Sequence, residues 1–364
     1  MRLRRRPIVS TIFLILAIAA LLPLATLQAQ TANNTVISLV VSNFNADIFT
    51  GKIISDFEGA HPGVKVNIVK DNASIPSETG GLDAYFTALA GYVNQGDVLY
   101  ISSSNMVSPA ATNAGYFLDL APLASSDSSL KSDDFFPSVW NAYQWDKGLW
   151  ALPFSADAQV MSYDPTAFDK VGLAYPDEKW TLDDLVNAVN KLTQKDSSGT
   201  VTQAGLAVVP ASSYSTLFRS LLGTGLFDSS SVPNVPKIDT PQMEALLDAW
   251  NQLEQNGEIG NSQNDFQNDP LSIGNASTFL RVATNPNSVR KGVLLPGGRA
   301  GLTTQAFAVS AGTTHPDEAY ALAAYLTMRP ELINRGALSP ARQSLAGVQN
   351  GGGGGGPRGG RNIT

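Results

Sequence analysis

A β-rich run, a helical stripe and a second β-rich run open the chain after its first thirty-odd residues. That order constrains the fold more than any other feature. Residues 36–42 (VISLVVS) are dominated by aliphatic and β-branched side chains and read as a strand. Ile48, Phe49, Ile53, Ile54 and Phe57 then recur at helical spacing on one face. His61-Pro62-Gly63 ends that helix, because proline cannot continue it and glycine turns the chain. Val64, Val66 and Ile68 alternate as a second strand. A strand, a helix and a returning strand make a parallel pair, so the fold class is α/β.

The pattern continues along the chain. Residues 82–92 read as a helix carrying Tyr85, Leu89 and Tyr92, and residues 97–102 as a buried strand ending in Ser102-Ser103-Ser104-Asn105. Polar loops at the carboxyl ends of parallel strands are where such sheets bind ligands. This rule nominates Phe44 and Asn45 after the first strand, and Ser103 and Ser104 after the third. An aromatic cluster follows: Phe135, Phe136, Trp140, Tyr143, Trp145, Trp150 and Phe154. Residues 149–153 and 160–163 read as short strands flanking a polar turn at 155–159. Thr181 caps a helix with Asp184 three residues on, and Leu182, Leu185, Val186, Val189 and Leu192 form its apolar face. Pro241 opens another, with Met243, Leu246, Leu247, Trp250 and Leu253 as its stripe. Residues 294–298 form a turn, 306–310 a short strand, and Pro316 opens a helix through Leu326. No internal repeat appears.

The two ends stand apart. Arg2, Arg4, Arg5 and Arg6 precede an apolar run from Ile8 to about Leu24, and Ala-Thr-Leu-Gln-Ala follows. Basic, apolar and small-residue regions in that order read as a secretory signal over residues 1–29, cleaved after Ala29 or kept as an anchor. That segment holds four arginines and no acid, so the formal charge falls from −7 for the whole chain to −11 without it. No later stretch is apolar enough to span a bilayer. Residues 351–356 are six glycines, and 346–364 read as a Gly-rich disordered tail. With 364 residues, two lobes are expected: 30–154 as the first and 155–345 as the second, with the crossover segments.

Composition excludes several chemistries. The acidic balance argues against nucleic acid. The chain has no cysteine, which rules out disulfides, thiolate metal sites and cysteine nucleophiles. Its two histidines, His61 and His315, each sit before or at a helix boundary beside a proline and read as turn residues. No Gly-x-Ser-x-Gly elbow and no P-loop is present. Asp133-Asp134 and Asp183-Asp184 are adjacent pairs that point apart and read as solvated helix starts, not as glycosidase carboxylates. Neither a catalytic residue, a metal site nor a cofactor is expected. Aromatic rings stack on the C–H faces of pyranoses while polar groups meet the hydroxyls. Trp140, Trp150 and Phe154 are candidates for the former, and Asp157, Thr304 and Gln305 for the latter. Trp180 and Trp250 fall in helix patterns and read as structural.

The order of motifs resembles the extracellular solute-binding proteins of family 1, the sugar-binding type of bacterial ABC importers. The resemblance rests on Phe57-Glu58-Gly59-Ala60-His61-Pro62-Gly63-Val64-Lys65-Val66, on Gly96-Asp97-Val98, and on Gly115-Tyr116-Phe117-Leu118-Asp119-Leu120. It continues through Leu149-Trp150-Ala151-Leu152-Pro153-Phe154, Met161-Ser162-Tyr163-Asp164-Pro165 and Trp180-Thr181-Leu182-Asp183-Asp184-Leu185. Leu295-Pro296-Gly297-Gly298, His315-Pro316-Asp317-Glu318-Ala319-Tyr320 and Pro340-Ala341-Arg342 complete it. The chain departs from the family in lacking a lipidated cysteine and in carrying glycines where helices usually follow the Pro-x-Arg motif. The resemblance implies two α/β lobes joined by crossing segments, with a ligand cleft between them near Asp157. It implies an exported, monomeric, non-catalytic protein, extracellular or periplasmic. Such a protein captures a mono- or oligosaccharide and delivers it to a membrane permease, held at the cell surface by that permease or by an uncleaved N-terminal segment. The rivals are a secreted glycan hydrolase, the same fold with a peptide, polyamine or metal complex as ligand, and a sensory module serving a receptor.

Overall fold

A computed structural model describes residues 34–43, 46–49, 51–71, 81–102, 106–208, 213–228, 235–260, 269–283, 287–333 and 339–346. Strand β1 (Thr35–Ser42) feeds helix α1 (Lys52–Ala60), which returns to β2 (Val64–Asp71) parallel to β1. Helix α2 (Gly81–Val93) leads to β3 (Val98–Ile101), parallel to β1 on its other edge. The expected α/β opening is therefore present, except that Ile48 ends a separate 3-10 turn (Ala46–Ile48) and α1 begins only at Lys52, after Gly51 turns the chain with φ +75°. His61 ends α1, with its ring stacked on Phe57 at 4.1 Å and its backbone N–H donating to the Phe57 carbonyl.

The next major strand, β4 (Leu152–Tyr163), is twelve residues long. The sequence pattern predicts two short strands and a turn at 155–159, and here the structure differs. Ser155-Ala156-Asp157-Ala158-Gln159 alternates polar and small residues, and that period of two suits an unbroken strand between partners. Helices α3 (Pro165–Val171) and α4 (Leu182–Leu192) follow. Thr181 caps α4 as expected, its hydroxyl accepting from the Asp184 N–H at 3.3 Å while the Asp184 carboxylate accepts from the Thr181 N–H at 2.9 Å. Then come β5 (Leu206–Val208), α5 (Ser213–Leu222), α6 (Pro241–Gln255), β6 (Ile259–Gly260), β7 (Leu271–Asn275), α7 (Ala276–Ala283) and β8 (Lys291–Val293). Strand β9 (Gly301–Val309), helix α8 (Pro316–Leu326) and β10 (Ser339–Pro340) complete the order.

These ten strands form one sheet in the order β6-β5-β7-β4-β9-β3-β1-β2, with β8 and β10 also on β4. Strands β4 and β9 are antiparallel and carry the sheet from one apolar region to the other. On the first side, alternation sends Ile37, Leu39 and Val41 of β1 to one core face and Val40 to the other. Tyr100 and Phe307 go with the former face, Leu99 and Ala308 with the latter. Helices α1 and α8 cover one face and α2 the other. On the second side a separate core joins Met161 and Tyr163 of β4 to Leu185, Val189, Leu217, Trp250, Leu253, Leu271 and Ile273.

Of the two crossing strands, β4 changes core partway along. Ala156 belongs to the first core and Met161 to the second, and Ala306 onward packs again with the first. The chain thus returns: α8 closes the first core through Ala319, Tyr320, Leu322 and Leu326, far from the N-terminal strands in sequence. A single division at 154/155 does not anticipate that return, which antiparallel pairing of β9 with β3 enforces. Arg342 seals the same region from inside, donating to the Leu130 carbonyl at 2.8 Å, the Thr327 hydroxyl at 3.0 Å and Asp134 at 3.2 Å.

Candidate functional site

Between the two cores, β4 and β9 form a polar ladder. Gly301 pairs with Gln159, Thr303 with Asp157, Thr304 with Ala156 and Gln305 with Ser155, before a bulge at Gln305/Ala306 resets the register. None of Asp157–Val160 or Gly301–Gln305 joins an apolar cluster. A strand pair stripped of apolar anchors at this point can flex with little loss of core, which is the property a hinge requires.

A cleft of about 460 Å³ opens beside this ladder. Ala142 contributes from the first side, and Thr216, Arg219 and Ser220 of α5 from the second. Arg299, Ala300, Gly301, Leu302 and Thr304 line the approach and start of β9. The Leu295-Pro296-Gly297-Gly298 turn explains how β9 reaches α5. Gly297 has φ +89°, and a Cβ there would lie 2.3 Å from the Ser220 carbonyl oxygen, so only glycine fits. The Ser220 hydroxyl donates to the Pro296 carbonyl at 2.6 Å, and the Arg299 guanidinium donates to the Gly223 carbonyl at 3.0 Å. The turn therefore clamps the last turn of α5 and brings Arg299 beside it.

Gly301 shapes the second wall. A Cβ at this position would meet Thr216 Cγ2 at 2.2 Å and Gln159 Oε1 at 2.8 Å. Gln159 is buried, and its Oε1 has no donor within reach. Asn275, its neighbour across the sheet at the carboxyl end of β7, holds an Oδ1 in the same state. Buried acceptors without donors are costly, and Gln159 Oε1 lies behind the cleft-lining Gly301, where a donor from outside the chain would satisfy it. Neither amide was nominated from sequence. The polar–small alternation of 155–159 was the available signal for Gln159, and nothing local marks Asn275.

The residues nominated from sequence scatter. Phe44, Asn45, Ser103 and Ser104 lie outside the described residues. Thr304 lines the cleft, and its hydroxyl donates to the Tyr143 hydroxyl at 2.9 Å, which in turn reaches the Thr304 carbonyl at 3.1 Å. Asp157 sits on the ladder at 6% exposure. Its carboxylate accepts from the Ser277 N–H at 3.1 Å and hydroxyl at 2.5 Å, so it anchors the first turn of α7. Burial pushes its pKa up, and the bonds from Ser277 only partly offset this. Gln305 accepts from the Ser155 hydroxyl at 3.0 Å.

The aromatic nominees turn inward. Phe154 is 3% exposed and stacks on Phe307 at 4.9 Å, so its ring packs in the first core, where the β4 pleat points it. Trp140 packs on Phe135 at 4.7 Å against the first core. Trp150, half-buried, stacks on Trp145 at 6.2 Å and donates to the Trp145 carbonyl at 3.2 Å. Trp250 is core, its ring meeting Tyr214 and Phe218 edge-on and its N–H donating to Glu254 at 2.9 Å, as its helical stripe indicates.

Among the described residues no helix is long and apolar enough to cross a membrane. None of their His, Asp and Glu side chains gather in threes to hold a metal. No curated protein sequence matches the chain. Solved structures share its fold at low identity. An ABC substrate-binding protein from Listeria monocytogenes in complex with cycloalternan is 17% identical with a TM-score of 0.62, over 85% of this chain and 80% of that one. Maltose-bound MalE3 from T. maritima is 19% identical with a TM-score of 0.61, over 85% and 82%. A mannitol-bound ABC transporter solute-binding protein from Agrobacterium vitis is 23% identical with a TM-score of 0.58, over 85% and 78%. The family model described as bacterial extracellular solute-binding protein matches residues 45–328. With two cores, a crossing ladder and a cleft between them, and that match over most of its length, the chain belongs to the bacterial extracellular solute-binding proteins.

Proposed function

We propose that this protein is the solute-capturing component of an ABC importer and that its ligand is a mono- or oligosaccharide. The observation that carries the reading is the buried amide oxygen Gln159 Oε1, without a donor and lying against Gly301 of the cleft lining. Sugar hydroxyls supply such donors. Similar folds bind cycloalternan, maltose and mannitol, which are rich in hydroxyls. Ligand bridging α5 on one side and the Ala142–Tyr143 segment on the other shifts the population toward a closed state about the β4–β9 ladder. The two lobes are the apolar regions on either side of that ladder. The protein acts without turnover, as a monomer, after export under its N-terminal segment. It works outside the cell or in the periplasm and hands its cargo to a membrane permease.

A thermal-shift screen against a sugar panel tests the reading. Ligand at a hundredfold excess over its Kd adds about 2.7 kcal/mol of stability. Small-angle scattering shows a smaller radius of gyration with ligand than without. An unchanged radius at saturation argues against hinge closure, and chemically altered sugar after long incubation argues against a pure binding role.

A further inference from the structure

The cleft is cationic in a chain that is acidic overall. Its lining contains two arginines, Arg219 and Arg299, and no aspartate or glutamate among the described residues. Three other arginines among the described residues are engaged elsewhere. Arg290 is buried and hydrogen-bonded to the Asp269 carbonyl and to the Ser162 and Ser272 hydroxyls. Arg342 is engaged in the first core, and the Arg329 guanidinium lies 4.2 Å from the Tyr325 ring centroid. Arg299 gives one N–H to the Gly223 carbonyl. Arg219 is exposed to the cleft and makes no hydrogen bond or ion pair with a described residue. The clamp of Pro296-Gly297-Gly298 on the end of α5 brings these two guanidinium groups to one cavity. Two like charges held together without a carboxylate repel each other, and an anion between them relieves that repulsion. The planar fork of arginine matches the two oxygens of a carboxylate or phosphate.

Resting on the sugar-binding reading, we infer that the cleft selects a saccharide bearing an acidic group. Arg219 and Arg299 take the anion, and Gln159 behind Gly301 takes a hydroxyl. The chemistry fits a uronate, and a sugar phosphate presents the same charge.

Calorimetric titration with matched pairs tests this: glucose against glucuronate and glucose 6-phosphate, galactose against galacturonate, mannose against mannuronate, and the corresponding disaccharides. The expected result is that one acidic member binds at least tenfold more tightly than its neutral partner. That preference shrinks several-fold between 20 and 200 mM salt, as charge pairing requires. Arg219→Gln, which removes no hydrogen bond or ion pair with a described residue, lowers affinity for the acidic ligand tenfold or more. Affinity for the neutral partner falls by much less, so the acidic-to-neutral ratio drops several-fold, with the melting temperature measured alongside. Arg299→Gln does the same, with its melting temperature checked because its bond to Gly223 is lost. A phosphate preference over the matching uronate assigns the anion to a phosphoryl group, and the reverse to a carboxylate. Equal binding of neutral and acidic sugars, or an Arg219→Gln variant with unaltered preference, overturns the inference and leaves the sugar-binding reading standing. Binding by no member of either series overturns both.

Discussion

The two walls of the cleft are opposite in character. The side from the first half of the chain brings only Ala142 to the cleft and keeps its aromatics for itself: Tyr143 bonds Thr304, Phe154 stacks on Phe307, and Trp140 and Trp150 pack on their neighbours. The second side is polar and unfinished, with Arg219 and Arg299 lining the cleft and Gln159 behind its Gly301 holding donors or acceptors unused by the described residues. The contrast teaches that a cluster of aromatics in sequence marks where a core needs volume as readily as where a ligand needs a platform. Recognition capacity is better read from polar groups that the fold leaves unpaired.

The largest expected effect tests the inward-facing aromatics. Phe154→Ala and Trp250→Ala each remove a large buried side chain, so each costs about 3–5 kcal/mol in chemical denaturation. If Phe154→Ala kept full stability and lost only ligand affinity, the first wall would not be the closed surface described.

Gly301→Val attacks the second wall. The new side chain collides with Thr216 and Gln159, and overpacking of this kind costs about 1–3 kcal/mol. It also fills the floor of the cleft, so saccharide affinity falls tenfold or more by titration. Retention of wild-type affinity would place the ligand elsewhere.

Two carboxylates sharpen the comparison through pH. Asp134, on the first side, is held below the usual carboxylate range: burial opposes this, but bonds from Ser344 and Arg342 outweigh it. Its stabilising contribution is present in full above an unfolded pKa of about 3.9 and disappears as pH falls through its lower folded value. Asp134→Ala costs about 1.5–3 kcal/mol at neutral pH and flattens that acid limb. Asp157, on the crossing ladder, has the opposite sign and the smallest effect. Its folded pKa is raised by burial, so the folded state binds the proton first and wild-type stability relative to Asp157→Asn increases as pH drops through that raised value. Denaturation midpoints of both variants across pH 3–7, an interval of about four units around the reference carboxylate values, measure the two slopes; slopes of the same sign would refute the contrast.

Much of the fold was legible. The βαβ opening, the capping box at Thr181, the stripe that buries Trp250 and the helix from Pro316 to Leu326 all lie where the periodicity puts them. These signals are local. A stripe repeats within a few residues because one face is buried, and a cap is settled between positions three apart. The crossing strand was misread because Ser155, Asp157 and Gln159 look like a turn until partners are known. Their partners, Gln305, Thr303 and Gly301, lie about 140–150 positions away in register.

The sequence by itself determined the α/β class and most helices, which rest on patterns that one stretch of chain carries alone, and the family, which rests on the order of short motifs along it. The tertiary structure decided which side chains face the cleft. Ala142, the Thr216–Ser220 turn and the Arg299–Thr304 segment meet only because β4 and β9 cross between two cores and a glycine turn clamps α5. No local pattern marks such a meeting, because the free energy that places these residues comes from burying the apolar surfaces on either side of them.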